Sequence, residues 1–173
     1  MRYCRGFTLL ELMAALVVLG ILLSVGLPAF NTMIDRQRMD SAVEALVRGL
    51  NFTRMEAVRR NRPVTISPID GDWNLGWRIL IDRNDNGSHD DGETVLREDI
   101  APAVAFIHAN KPVSRYVRFN ARGESILLNG GFLAGTFRFC PQEASSKGRA
   151  LIINRVGRMR WEQRMIAAQY CPG

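Results

Sequence analysis

The chain has 173 residues, 47% of them apolar, and a formal net charge of +6. Once an apolar N-terminal stretch is set aside, that length leaves room for one globular domain. The charge is segregated, with 15 basic and 16 acidic groups in residues 7–143 but Lys147, Arg149, Arg155, Arg158, Arg160 and Arg164 against Glu162 in residues 144–173, which excludes a uniformly basic surface and confines the positive charge to the tail.

The first element is the apolar run Gly6 to Pro28, close to the ~20 residues that a helix needs to cross a bilayer. It has no small-residue exit of the secretory type, so the segment is expected to be retained. Its anomaly is Glu11, a carboxylate with no basic residue inside the run. Burying such a charge in hydrocarbon costs roughly 2.5–3.5 kcal/mol on insertion scales, and charges there usually have a partner. A cut between Gly6 and Phe7 would create an α-amino group at the depth of Glu11. A neighbouring copy could then offer it as the counter-charge, which links cleavage to assembly.

The segment Arg5-Gly6-Phe7-Thr8-Leu9-Leu10-Glu11, followed by the apolar run and Pro28, resembles the prepilin signature of type IV pilins and type II secretion pseudopilins. The resemblance implies a leader of residues 1–6, removed by a prepilin peptidase after Gly6, and methylation of Phe7. It further implies a role for Glu11 in entering the filament and a helix kink at Pro28. It also implies a single-pass inner-membrane protein, in contact with lipid before assembly, with a periplasmic domain and other pilins as filament partners. Cysteine usage agrees with that compartment: Cys4 leaves with the leader, and Cys140 and Cys171 remain as a possible pair, as an oxidising environment favours. Two buried thiols are the alternative.

After residues 7–29 comes an amphipathic stretch, residues 30–62, in which Met39, Val43, Leu46, Leu50 and Ala57 recur at helical spacings. Asp40, Glu44, Arg48, Arg54 and Arg59 lie between them. One helix is therefore expected to continue from the apolar run and to stop before Pro63. Arg59, Arg60 and Arg62 then favour the negative end of its dipole.

Residues 63–173 change to short β-prone runs: Val64 to Ser67, Trp77 to Ile81, Thr94 to Leu96, Val104 to Ile107, Tyr116 to Phe119, Gly135 to Cys140 and Ala150 to Trp161. No second helix is expected. The fold class is α+β, a type IV pilin fold with the long helix packed on an antiparallel sheet. Between two of the strands, Asp82, Asn84, Asn86, Gly87 and Glu93 fit a calcium-loop pattern, although strand flanks and hairpin chemistry also explain these residue types. His89 and His108 have no neighbouring nucleophile or metal-ligand spacing, and neither a serine elbow nor a phosphate loop is present. The sequence therefore points away from an enzyme.

In the tail, a strand from Ala150, a turn at Arg155-Val156-Gly157 and a second strand place Arg158 and Arg160 on one face, with Met159 and Trp161 on the other. Two guanidinium groups so placed can meet the phosphates of DNA, with Arg155, Arg164, Lys147 and Arg149 extending the attraction. Trp161 is expected to face the core, which makes base stacking on it or on Tyr170 secondary. Phe119-Asn-Ala-Arg-Gly123, Gly135-Thr-Phe-Arg-Phe-Cys140 and Gly157-Arg-Met-Arg160 resemble the FimT/GspH group of pilin-like proteins. That group holds DNA-binding minor pilins of natural transformation, with which a Gly-Arg-x-Arg element is associated, and structural pseudopilins of type II secretion. The tail charge favours the first. The second, and a pilus-assembly minor pilin without DNA binding, are the alternatives.

Overall fold

A computed structural model describes residues 9–102, 106–141 and 147–171; the side chains of residues 25–29, 31 and 32 are excluded. Gly6, Phe7 and the expected cleavage site lie outside the described residues, as do the Pro28 side chain and the start of the Val104 to Ile107 run. The chain forms two units, divided between Arg36 and Gln37.

The first unit is the beginning of helix α1 (Leu9–Arg60), with Glu11 in its first turn. Its apolar side chains, among them Leu9, Leu10, Leu16 and Leu22, are exposed. Among the described residues no helix is long and apolar enough to cross a membrane. The expected span, residues 7–29, runs at both ends into residues whose positions or side chains are not described.

The second unit contains the rest of α1, and here the spacing read from sequence is realised. Met39, Val43, Leu46, Leu50 and Ala57 are all buried, joined by Ala42. Gly49 lets the helix approach the sheet, because a Cβ there would stand 2.7 Å from the Trp77 indole nitrogen. The helix ends as the proline at 63 requires. Asn61 takes a left-handed conformation (φ 51°), and the Arg62 amide donates back to the Ala57 carbonyl at 3.2 Å, the pattern of a Schellman cap.

Glu56, 8% exposed, sits in that last turn and accepts two bonds from Arg59 (3.0 and 2.6 Å) and one from Arg60 (2.6 Å). The Arg59 bonds first, and then the Arg60 bond, hold its carboxyl below the ordinary glutamate value of 4.5, against an opposing effect of burial. A carboxylate with a lowered folded value adds stability that is fully present above its unfolded value. That stability is lost as pH falls through the folded one. The acid limb of the stability curve is therefore expected to begin below about pH 4.5 and to flatten in Glu56→Gln, as urea midpoints between pH 7 and pH 3 will measure. An acid limb unchanged by the substitution would refute this assignment.

Among the described residues nine strands follow, all paired antiparallel: β1 (Val64–Ile69), β2 (Asp72–Ile81), β3 (Thr94–Ile100), β4 (Ile107–Ala109), β5 (Val117–Phe119), β6 (Ser125–Ile126), β7 (Gly135–Phe139), β8 (Gly148–Ile153) and β9 (Met159–Arg164). They make two sheets, in the orders β3-β2-β1-β5-β6 and β4-β7-β8-β9, where the sequence suggested one. Trp73 joins them. Its indole donates to the Ser114 carbonyl (2.9 Å), and its ring meets Phe137 of β7 edge-on at 4.9 Å. A one-turn helix α2 (Lys111–Ser114) and a 3-10 turn, Ala168–Tyr170, also form, correcting the expectation of no further helix. Both are too short to produce a periodic pattern in sequence.

Candidate nucleic-acid interface

Strand β9 is the outer edge of the second sheet, and it reaches β8 through a tight turn. Within that turn the Asn154 amide donates to the Arg158 carbonyl (3.1 Å) and the Gly157 amide to the Asn154 carbonyl (2.9 Å). The Asn154 side-chain oxygen accepts from the Arg158 amide (2.9 Å). Gly157 has φ +73°, a conformation that side chains rarely tolerate. A Cβ on Gly157 would also lie 2.3 Å from the Gly123 carbonyl oxygen.

Gly123 closes a second turn of the same build, Asn120 to Glu124, with matching bonds of 3.0 and 2.9 Å and φ +75°. The two turns lie glycine to glycine. Arg54 of α1 fastens both, donating from Nε to the Gly123 carbonyl (2.8 Å) and from Nη2 to the Val156 carbonyl (3.3 Å). This bond is not legible in the sequence, where Arg54 reads as one more charge on a polar helix face.

The turn fixes where the arginines go. Arg160 pairs in register with Ile152, and Met159 and Trp161 pair with Ile153 and Leu151, which belong to the core. Arg158 and Arg160 therefore project from the outer face, where with Ile152 and Asn154 they line a concavity of about 280 Å3. Among the described residues the Arg158 guanidinium has no ion pair. Arg160 and Arg164 flank Glu162 at 3.5 and 3.6 Å, an exposed arrangement worth little in stability. Arg155 is exposed at the turn. It lies close enough to add to the effects of Asn120 and Arg122 that lower the Glu124 carboxyl. Lys147 is exposed before β8.

Two expectations need correction. Arg149 is no surface cation: it is 4% exposed, with Nε 2.7 Å from an Asp40 carboxylate oxygen. Period-two alternation puts it on the inward face with Leu151 and Ile153, and a strand taken to begin at Ala150 conceals this. Trp161 lies on the inward side of β9 but is 45% exposed, because β9 is the edge strand of its sheet among the described residues. It lies 5.9 Å from the Arg149 guanidinium.

In the loop with the calcium-like pattern the oxygens have partners close by. Asp82 accepts from the amides of Asn86 (3.2 Å) and Gly87 (2.8 Å), and Glu93 accepts from those of Arg83 (2.7 Å) and Asp90 (3.2 Å). Asn84 and Asn86 donate to Asp90. The oxygens turn to N–H groups of their own loop, and among the described residues no group of three or more acidic, histidine or cysteine side chains is placed to hold a metal.

Cys140 and Cys171 are joined in a disulfide, with Cα atoms 5.6 Å apart. The segment after β9 thus returns over the sheet.

Comparison with known proteins adds identity to this geometry. Residues 42–157 match the family described as type II transport protein GspH, and residues 1–27 match the prokaryotic N-terminal methylation motif. A pilin-like protein of Thermus thermophilus, PilA1, is 36% identical over 89 residues, 51% of this chain. The chain spans 55% of that relative's length. Two crystal structures of the Pseudomonas aeruginosa type IV minor pilin FimU are similar throughout the fold. One has TM-score 0.58 and 25% identity over 81% of this chain and 96% of the other; the second has 0.55 and 26% over 77% and 96%.

Proposed function

This chain belongs to the GspH family of type II transport proteins and has the type IV pilin fold, and from that membership we propose that it is a minor pilin that joins a type IV pilus and binds DNA there, in the uptake step of natural transformation. It is a structural subunit and carries out no catalysis. Residues 7–29 anchor it in the inner membrane, with residues 63–173 in the periplasm, until it enters the filament. Other pilins are its partners there, and a prepilin peptidase is its processing enzyme.

The observation that carries the DNA reading is the outward placement of Arg158 and Arg160 on an edge strand whose turn is locked by Gly157, Gly123 and Arg54. Cations on a rigid strand neutralise phosphates without reading bases, so binding is sequence-tolerant and strongly dependent on salt. Titration of the full chain in detergent micelles against labelled duplexes of two unrelated sequences, at several salt concentrations, tests it. Similar affinities that fall steeply with salt are expected. Absence of binding at low salt would favour the second reading, a pseudopilin of type II secretion, which the family's own description supports.

Processing has its own test. The mature protein from a host with prepilin peptidase is expected to begin at Phe7 and to carry one added methyl group, as intact-mass analysis will read. A mass that retains residues 1–6 would sink the assignment of Gly6 and Phe7 to prepilin processing.

A further inference from the structure

The outer face of the second sheet carries another cation that the tail charge does not include. Arg138 of β7 pairs with His108 of β4 and with Ala150 of β8, and Ala150 pairs with Glu162 of β9. Paired residues in an antiparallel sheet share a face, so Arg138 stands on the face of Arg158, Arg160 and Arg164. From Arg138 to Arg160 is two strands across and two residues along, about 12 Å at ordinary sheet spacings.

The chain after β9 crosses this face at one end. Ile166 fills the place that a Cβ on Gly148 would need, 2.6 Å away, and Cys171 closes the disulfide to Cys140. Between them lies Tyr170. The Arg138 guanidinium carbon is 4.1 Å from its ring centroid, and the His108 ring is 5.0 Å away at 51°. Buried Arg138 Nη1 and His108 Nδ1 have no hydrogen-bond partner among the described residues. Both groups pack against the Tyr170 ring. A tyrosine backed by a cation, held by a disulfide and only partly buried, is a fixed aromatic surface on the arginine face.

We propose that Tyr170 is a base-stacking platform. An unpaired base of single-stranded DNA stacks on the solvent side of its ring while neighbouring phosphates lie against Arg160 and Arg158. This rests on the DNA reading above and specifies its substrate as a single strand or a frayed end. Aromatic platforms beside a cationic track are the recurring means of holding single strands without sequence preference, because every base offers a π-face. Trp161 is the other exposed aromatic nearby, but it stands on the opposite side of β9 from the arginines. It serves as the control.

The test compares two labelled probes, oligothymidine and an abasic oligonucleotide of equal length, which keeps the phosphates and lacks the bases. Each is titrated against the full chain in detergent at low salt. The wild type is expected to bind oligothymidine roughly 5- to 100-fold more tightly than the abasic strand. Tyr170→Leu removes that difference and leaves abasic binding unchanged, whereas Tyr170→Phe and Trp161→Leu retain it. Protection of both cysteines from thiol labelling in the unfolded, unreduced variants verifies that the disulfide has formed.

Equal binding of the two probes by the wild type, or full discrimination by Tyr170→Leu, overturns the platform while leaving the arginine reading intact. Absence of binding to both probes overturns the platform, and the duplex titration above decides the arginine reading separately.

Discussion

Replacing Arg158 and Arg160 together with alanine lowers the affinity of the full chain for duplex DNA roughly 60-fold at 0.1 M salt and reduces the magnitude of its log–log salt slope by about two, if each side chain neutralises one phosphate. Folding survives, because both side chains lie on the outer face while Met159 packs against the core. The neighbouring carboxylate gives a check of opposite sign. Glu162 stands between Arg160 and Arg164, so Glu162→Gln releases both and strengthens binding.

The control is Arg83→Ala with Arg115→Ala, which removes the same charge from exposed positions on the loops of the other sheet. Arg59 and Arg60 would not serve, since their loss strands the buried Glu56 carboxylate. Duplex titrations from low to moderate salt decide the matter. Equal losses from the two pairs mean diffuse attraction and refute a site on β9.

Replacing Cys140 and Cys171 with serine lowers the stability of the second unit by about 3–4 kcal/mol, the chain-entropy estimate for a bridge of sequence separation 31. For a domain whose whole stability is about 5–15 kcal/mol, that is a large share. The double variant stays folded, because the buried cluster of Leu46, Leu50, Trp77, Phe137 and Leu151 does not depend on the bridge. The loss appears as a lower urea midpoint for the variant than for the oxidised wild type. Reduction of the wild type shifts its midpoint by a similar amount and leaves the serine variant unmoved. A midpoint indifferent to reduction would show that the loop contributes nothing to folding.

How far the sequence alone reaches is plain from particular residues. The core stripe of α1 was legible because helical spacing is local and five apolar residues repeat it. Two sheets were not legible, since β1 pairs with β5 across some fifty residues and no local pattern records such a partner. The outward aim of Arg158 and Arg160 followed from period two. The exposure of Trp161 did not, because alternation tells which face a residue takes but not that the strand is an edge.

Arg138 was open to discovery by the same alternation in Thr136-Phe137-Arg138-Phe139, where apolar and polar residues take turns. The calcium pattern is ambiguous in sequence for a physical reason. Closely spaced Asp and Asn oxygens suit a cation and suit the amides of their own loop equally well, and only the coordinates distinguish the two.

The contact between Gly123 and Gly157 has a consequence for inheritance. Each glycine is held at a positive φ, and a methyl group on either collides with the other turn or with Arg54. In genetic terms the two turns behave as one locus. Gly123→Ala, 34 positions upstream, should act on the arginine strand as Gly157→Ala does, and the cost of the double substitution should depart from the sum of the two, because the residues are in direct contact. Second-site revertants of either should arise at Arg54 or within Asn120 to Glu124 and Asn154 to Arg158. The loop from Asp82 to Glu93, whose side chains bond to amides of their own loop, should yield none.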